Sequence, residues 1–129
     1  MRLIITSVIV VVTGPTAGSI GAAVLLALAK GEPAALVIAG RTPSKFQTVI
    51  DEITLNHPTV KVVTVVLDLS SQESVRSAAR QIMENDEIPR VDVLINNAGP
   101  SASHLHETIK LTTKYRNHGS TIWYDEGWN

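Results

Sequence analysis

Cysteine is missing from this 129-residue chain. Its absence excludes a disulfide scaffold, a cysteine-ligated zinc and a thiol nucleophile. It fits a reducing compartment, and a cytoplasmic location is the expectation. Excess charge of either sign is missing too. Lys and Arg total 11 against 12 Asp and Glu, a net charge of −1. No broad field draws the chain to nucleic acid or to an anionic membrane, so neither is expected as a partner. Long apolar runs are also lacking. Leu3-Ile4-Ile5 and Val8–Val12 are interrupted by Thr6 and Ser7 and run into a glycine-rich turn. That is short of the ~20 apolar residues of a spanning helix, and Ala17-Gly18-Ser19 is a weak signal-peptide cleavage site. The β-branched run reads instead as a strand buried on both faces.

What is present suits one α/β domain: 44% hydrophobic residues rich in Val, Ile, Leu and Ala, and 18% charged. Strand and helix patterns alternate. A strand is predicted over Ser7–Thr13. An apolar helix follows over Gly18–Lys30, with Gly31 as its C-terminal stop. A second buried strand spans Ala35–Ala39. Thr42 then caps a helix with Pro43 in its first turn, which carries Phe46, Val49, Ile50 and Ile53 at helical spacing and ends before Pro58. A third strand covers Val60–Leu67. Ser70 and Glu73 have the spacing of a capping box for a helix reaching about Asn85. The fourth strand is Val91–Ile95. Strands separated by helices make βαβ units, whose right-handed crossovers give a parallel sheet covered on both faces. The order expected for a dinucleotide-binding sheet is 3-2-1-4.

Residues 100–129 read differently. They are polar, with His104, His106, Lys110, Lys114, Arg116, Asn117 and His118, and close on Trp123-Tyr124-Asp125-Glu126-Gly127-Trp128-Asn129. The pattern allows a short helix over His104–Tyr115 and shows no strand after it. The dozen or so last residues read as loosely ordered. His104 and His106 are two apart, which does not put them on one helix face, and no metal site is expected.

The first strand ends in Thr13-Gly14-Pro15-Thr16-Ala17-Gly18-Ser19-Ile20-Gly21. Glycines let the backbone turn sharply and bring bare amides to a phosphate, and the next helix aims its amides and positive dipole end there. A glycine-rich loop alone also serves a plain strand–helix turn. A P-loop fits worse, because Gly18 is followed by Ser19-Ile20 and not by Lys-Ser/Thr. The second strand ends in Gly40-Arg41-Thr42. Arg41 stands where an acid would bond the ribose hydroxyls of NAD, and no acid occurs from Ala34 to Lys45. A guanidinium there pairs with a 2′-phosphate, which points to NADP(H). The bland alternative is a solvated arginine at a helix start.

Thr13–Gly21, Arg41, Asp68-Leu69 and Asn96-Asn97-Ala98-Gly99 together resemble a short-chain dehydrogenase/reductase, over about residues 7–99. The family pattern Thr-Gly-x-x-x-Gly-x-Gly here has its last glycine one residue late, as in fungal-type members. The resemblance implies a Rossmann-type doubly wound parallel sheet, incomplete at about four strands, holding NADP(H). Gly14, Thr16, Gly18, Ser19, Ile20 and Gly21 would surround the phosphates. Arg41 would take the 2′-phosphate, and Asp68 with Leu69 would meet the adenine. Asn96, Asn97, Ala98 and Gly99 would brace the sheet and lie against the cofactor ribose. Two single-residue alternatives stay open: Asp68 as a helix cap and Asn96 as a purely structural bond to backbone.

The family's catalytic set is Ser–Tyr–Lys, with the last two in a Tyr-x-x-x-Lys step. Here Tyr115 is followed four residues on by Gly119, and Tyr124 by Trp128. No catalytic residue is therefore assigned. The expectation is a truncated family member, with an NADP(H)-binding half-domain at 1–99 and a divergent tail at 100–129. It would be weakly active or inactive alone. Its fourth strand would be an exposed apolar edge open to self-association. Two alternatives are a non-catalytic NADP(H)-sensing module and an inert fragment of a misread gene.

Overall fold

The computed structural model describes residues 4–99 and the strands at 115–117 and 120–122. Residues 1–99 form one compact unit and 100–129 another.

In the first unit β1 (Ile9–Thr13), β2 (Ala35–Gly40), β3 (Lys61–Val66) and β4 (Val93–Ile95) make one parallel sheet in the order β3-β2-β1-β4. This is the expected order. The two central strands are buried along their whole length, which explains why both are unbroken apolar runs. Alternation splits the core in two. Val10, Val12, Leu36 and Ile38 point to the side of α1 (Ile20–Ala29) and α2 (Gln47–Asn56), where they meet Leu25 and Ile53. Ile9, Val11 and Val37 point to the side of α3 (Gln72–Met83), where they meet Ala78. Each fully buried Leu or Ile contributes about 1.5–3 kcal/mol.

Several boundaries differ from expectation, each for a local reason. The first helix stops at Ala29 with Lys30 as its C-cap. The left-handed residue after it is Glu32 (φ 52°), not Gly31. Thr42 precedes a 3-10 turn, Pro43–Phe46, without donating or accepting a side-chain cap bond, and the α-helix starts only at Gln47. Ser71, not Ser70, caps α3: its Oγ accepts from the Ser74 amide at 3.2 Å. Ser70 is unavailable because its amide and hydroxyl both donate to Asp68 Oδ1, at 3.0 and 2.6 Å.

The lower end of the sheet is tied by Asp92. Its Oδ2 accepts from the Ile9 amide at 2.8 Å and its Oδ1 from Arg90 Nε at 2.7 Å. The Arg90 guanidinium also donates to the Ser7 carbonyl. The bond from Arg90, then that from Ile9, holds the Asp92 carboxyl below its ordinary value of 3.8. A depressed folded-state pKa means stability that is full at neutral pH and lost as acid protonates the folded carboxylate. Asp92→Asn is expected to be less stable than wild type at neutral pH, with the gap closing on acidification below the ordinary aspartate value. Melting temperatures across that range check this, and a gap that stays constant with pH would contradict it.

The second unit contains an antiparallel pair, β5 (Tyr115–Asn117) and β6 (Ser120–Ile122), in the register Tyr115↔Ile122, Arg116↔Thr121, Asn117↔Ser120. This corrects the reading of the tail as strandless. Three-residue strands are too short for alternation to register in a sequence pattern. The rest of the helix expected over 104–115, and the His104–His106 pair, lie outside the described residues.

Candidate functional site

The site lies at the carboxyl ends of the strands, where open α/β sheets bind ligands at the point of reversed strand order. That reversal falls between β1, which continues to β2, and β4 on its other side.

The loop after β1 is built for backbone approach. Gly14 (φ 64°) and Gly18 (φ 77°) both adopt left-handed conformations. The Thr16 amide donates to the Gly14 carbonyl at 3.0 Å and the Ser19 amide to the Thr16 carbonyl at 3.0 Å, so the loop is internally hydrogen-bonded. Ser19 then caps α1, its Oγ accepting from the Ala22 amide at 3.2 Å. Of the amides that a helix start leaves without an intrahelical acceptor, those of Ser19 and Ala22 are satisfied in this way. Among the described residues none accepts from those of Ile20, which is exposed, and Gly21, which is buried. A Cβ built on Gly18 meets nothing within 4 Å, so the loop opens outward. Two amides, an open glycine and the positive end of α1 suit an anionic group such as a pyrophosphate.

Behind this cradle is a bond network centred on Thr13, the buried polar residue at the end of β1. Its Oγ1 accepts from the amides of Asn97 (3.1 Å) and Ala98 (3.0 Å). The Asn97 side-chain amide donates back to the carbonyls of Thr13 (3.1 Å) and Gly14 (3.3 Å). Asn97, not Asn96, therefore makes the bonds to backbone; Asn96 is exposed. Ala98 lies against Gly14, where an added Cβ would come within 2.9 Å of the Ala98 Cβ. Gly99 is exposed at the end of this segment. The sequence places Thr13 at the head of the glycine motif but gives it no role of its own. Its signal was a hydroxyl closing a strand of otherwise apolar residues.

Arg41 is exposed at the mouth of β2. Across the gap, Asp68 follows β3. Its pKa is lowered first by the hydroxyl and then the amide of Ser70, and least by the charge of Arg41. Ser74 Oγ accepts from the Asp68 amide at 2.9 Å, so Asp68 shapes the entry to α3. Leu69 beside it is an apolar residue 53% exposed.

A four-stranded parallel sheet in this order, with a glycine-turned helix start at its switch point, defines a dinucleotide-binding α/β fold. The family model described as short chain dehydrogenase matches residues 8–117, and this chain belongs to that family. The match runs further along the chain than the motifs alone reached. The oxidoreductase fscI of Fusarium equiseti is 38% identical over 89 residues, which cover 69% of this chain and 34% of fscI. Among solved structures, YwfH, titled an NADPH dependent reductase involved in bacilysin biosynthesis, superposes with a TM-score of 0.64 at 30% identity over 74% of this chain and 36% of its own. An alcohol dehydrogenase from the archaeon Thermococcus sibiricus, complexed with 5-hydroxy-NADP, superposes at 0.59 with 28% identity, over 68% and 35% of the two chains. The chain thus spans about a third of the length of these relatives. Among the described residues no helix is long and apolar enough to cross a membrane.

Proposed function

We propose that residues 1–99 bind NADP(H), and that the chain supplies the adenosine and pyrophosphate half of a reductase site acting on a carbonyl or alcohol. The observation that carries this is the cradle of Gly14–Gly21, with the Ile20 and Gly21 amides unclaimed and Arg41 exposed at the adjoining strand mouth. Gly14, Thr16, Gly18, Ser19, Ile20 and Gly21 would surround the pyrophosphate. Arg41 would pair with the 2′-phosphate, Asp68 and Leu69 would meet the adenine, and Asn96, Asn97, Ala98 and Gly99 would border the ribose. The NADPH-dependent and NADP-complexed relatives described above support the choice of the phosphorylated cofactor. When bound, the nicotinamide carries the hydride; the protein's part is to bind and orient.

Neither tyrosine of this chain stands four residues before a lysine, so the acid/base step of the family has no assigned residue here and the expected turnover of the isolated chain is weak or nil. A cytoplasmic setting suits a cysteine-free, cofactor-binding chain. The test is titration of the whole chain with NADPH and with NADH, followed by an aldehyde and ketone panel. Saturable binding that favours NADPH, without steady NADPH consumption, is the expected result. Binding with no preference between the two removes the role given to Arg41, and steady turnover removes the inactivity.

The fourth strand favours a second copy of this chain as a partner. Among the described residues β4 pairs only with β1. Leu94 (57% exposed) lies on the α3 side, in register with Val11, and Val93 (42%) on the other. Val93–Ile95 contains neither the lysine nor the proline with which edges are usually protected, and a net charge of −1 offers little repulsion. Wild type is expected to associate at tens of micromolar in a sizing column, and Leu94→Lys to elute as a monomer. A monomeric wild type rules the association out.

A further inference from the structure

The strand carrying Arg41 ends in a glycine with no conformational need to be one. Gly40 closes β2, and its φ is not among the positive values, which belong to Gly14 and Gly18. It is buried and paired in register with Val66, and its carbonyl accepts from the Leu67 amide at 2.9 Å. A glycine inside a strand is costly unless something approaches the backbone closely. Here the approaching group is the ring of Phe46. A Cβ built on Gly40 would lie 2.8 Å from Phe46 Cε2 and 3.5 Å from Cε1, with Cζ nearer still. Phe46 is 2% exposed and belongs to the core that also holds Ile38, Val49 and Ile53, so the ring has no free space to swing into.

Between these two residues runs the segment Arg41-Thr42-Pro43-Ser44-Lys45. It leaves the strand at Arg41 and folds into the 3-10 turn Pro43–Phe46, with the Lys45 amide donating to the Thr42 carbonyl at 3.0 Å. Both of its ends therefore meet in one contact, the edge of the Phe46 ring against a bare α-carbon. Arg41, Ser44 and Lys45 are exposed on its outer side.

We propose that Phe46 is a positioning residue for cofactor selectivity: by seating its ring on Gly40 it clasps the 41–45 loop shut and fixes the direction in which Arg41 leaves the sheet. The proposal rests on Arg41 as the 2′-phosphate partner. A planar guanidinium rewards one geometry, so a loop that settles differently loses the phosphate bond while the cradle at Gly14–Gly21 still holds the pyrophosphate. Leucine at position 46 keeps an apolar core residue but is too short to reach the α-carbon that the ring edge (Cζ, Cε2) meets. Alanine at position 40 keeps the ring and forces it off.

The experiment measures NADPH and NADH dissociation constants for the full chain, wild type beside Phe46→Leu, Gly40→Ala and Arg41→Ala, each below its own melting temperature. Phe46→Leu and Gly40→Ala are expected to lose roughly tenfold of the NADPH-over-NADH preference, as misplaced groups do, with NADH binding unchanged. A purely structural Phe46 would weaken both cofactors alike or lower only the melting temperature, and either result overturns the proposal. Arg41→Ala separates the two levels of the argument. If it abolishes the preference while both clasp variants keep it, Arg41 stands and the clasp falls. If Arg41→Ala keeps the preference, or wild type has none, both fall. If one clasp variant does not fold, the other decides.

Discussion

Arg41→Ala is expected to weaken NADPH binding by about 1.5–3 kcal/mol, roughly 10- to 150-fold, and to leave NADH binding within about twofold of wild type. The asymmetry follows from where the residue sits. Arg41 is exposed at the mouth of β2 and belongs to neither core cluster, so truncating it removes a charge and five donors without opening a cavity. Its remaining partner on the protein side is electrostatic: it contributes the smallest of the effects that lower the Asp68 pKa. NADH lacks the 2′-phosphate and has nothing to lose. The difference should shrink as salt is added, because an exposed ion pair is screened over about 10 Å at 0.1 M. Equal losses for the two cofactors would mean that Arg41 acts through the fold.

Thr13→Val is expected to produce the largest loss of stability among single changes near the site. The two side chains have nearly the same shape, so the substitution isolates the hydroxyl. Thr13 is 5% exposed, and its Oγ1 accepts from two backbone amides, those of Asn97 and Ala98. Valine leaves both of these half-buried amides facing a methyl group. Each unsatisfied donor costs about 1–3 kcal/mol, so the sum is about 2–6 kcal/mol. For a chain of this size that lowers the melting temperature by roughly 10 °C or more. The loss also reaches the site. β4 is held to β1 along only three paired positions, and the Thr13–Asn97 bonds continue that seam into the loop at Gly14. Cofactor affinity should therefore fall together with stability, and Thr13→Ser, which restores the acceptor, should recover most of both. A Thr13→Val protein that melts with wild type would show that water satisfies the two amides.

Much of this was legible in the residues. The unbroken runs Val8–Val12 and Ala35–Ala39 announced two-face burial and hence the centre of a parallel sheet, because an apolar residue at every position leaves no solvent face. The glycine spacing announced a turn into a helix start, because glycine adopts the φ of +64° and +77° that this turn uses without steric cost. The place of Arg41 just past the end of β2 was readable, since a βαβ unit carries the end of its second strand to the carboxyl edge of the sheet. The local bookkeeping of caps was less readable. Ser70 and Ser71 are chemically equivalent candidates, and the choice fell to Ser71 because the Asp68 carboxylate occupies Ser70. In the same way Asn96 and Asn97 are neighbours of one kind, and only the path of the chain beyond β4 decided which amide turns toward β1.

From its amino acids alone, then, the chain settled its fold class and its strand order, because periodicity and glycine placement are local properties written along the chain. The tertiary structure decided which groups those residues meet: Thr13 under the amides of Asn97 and Ala98, and Phe46 on the bare face of Gly40. The reason is physical. Hydrogen bonds and close packing act over a few ångströms in space, and Thr13 and Asn97 become neighbours only when the sheet brings β1 and β4 side by side.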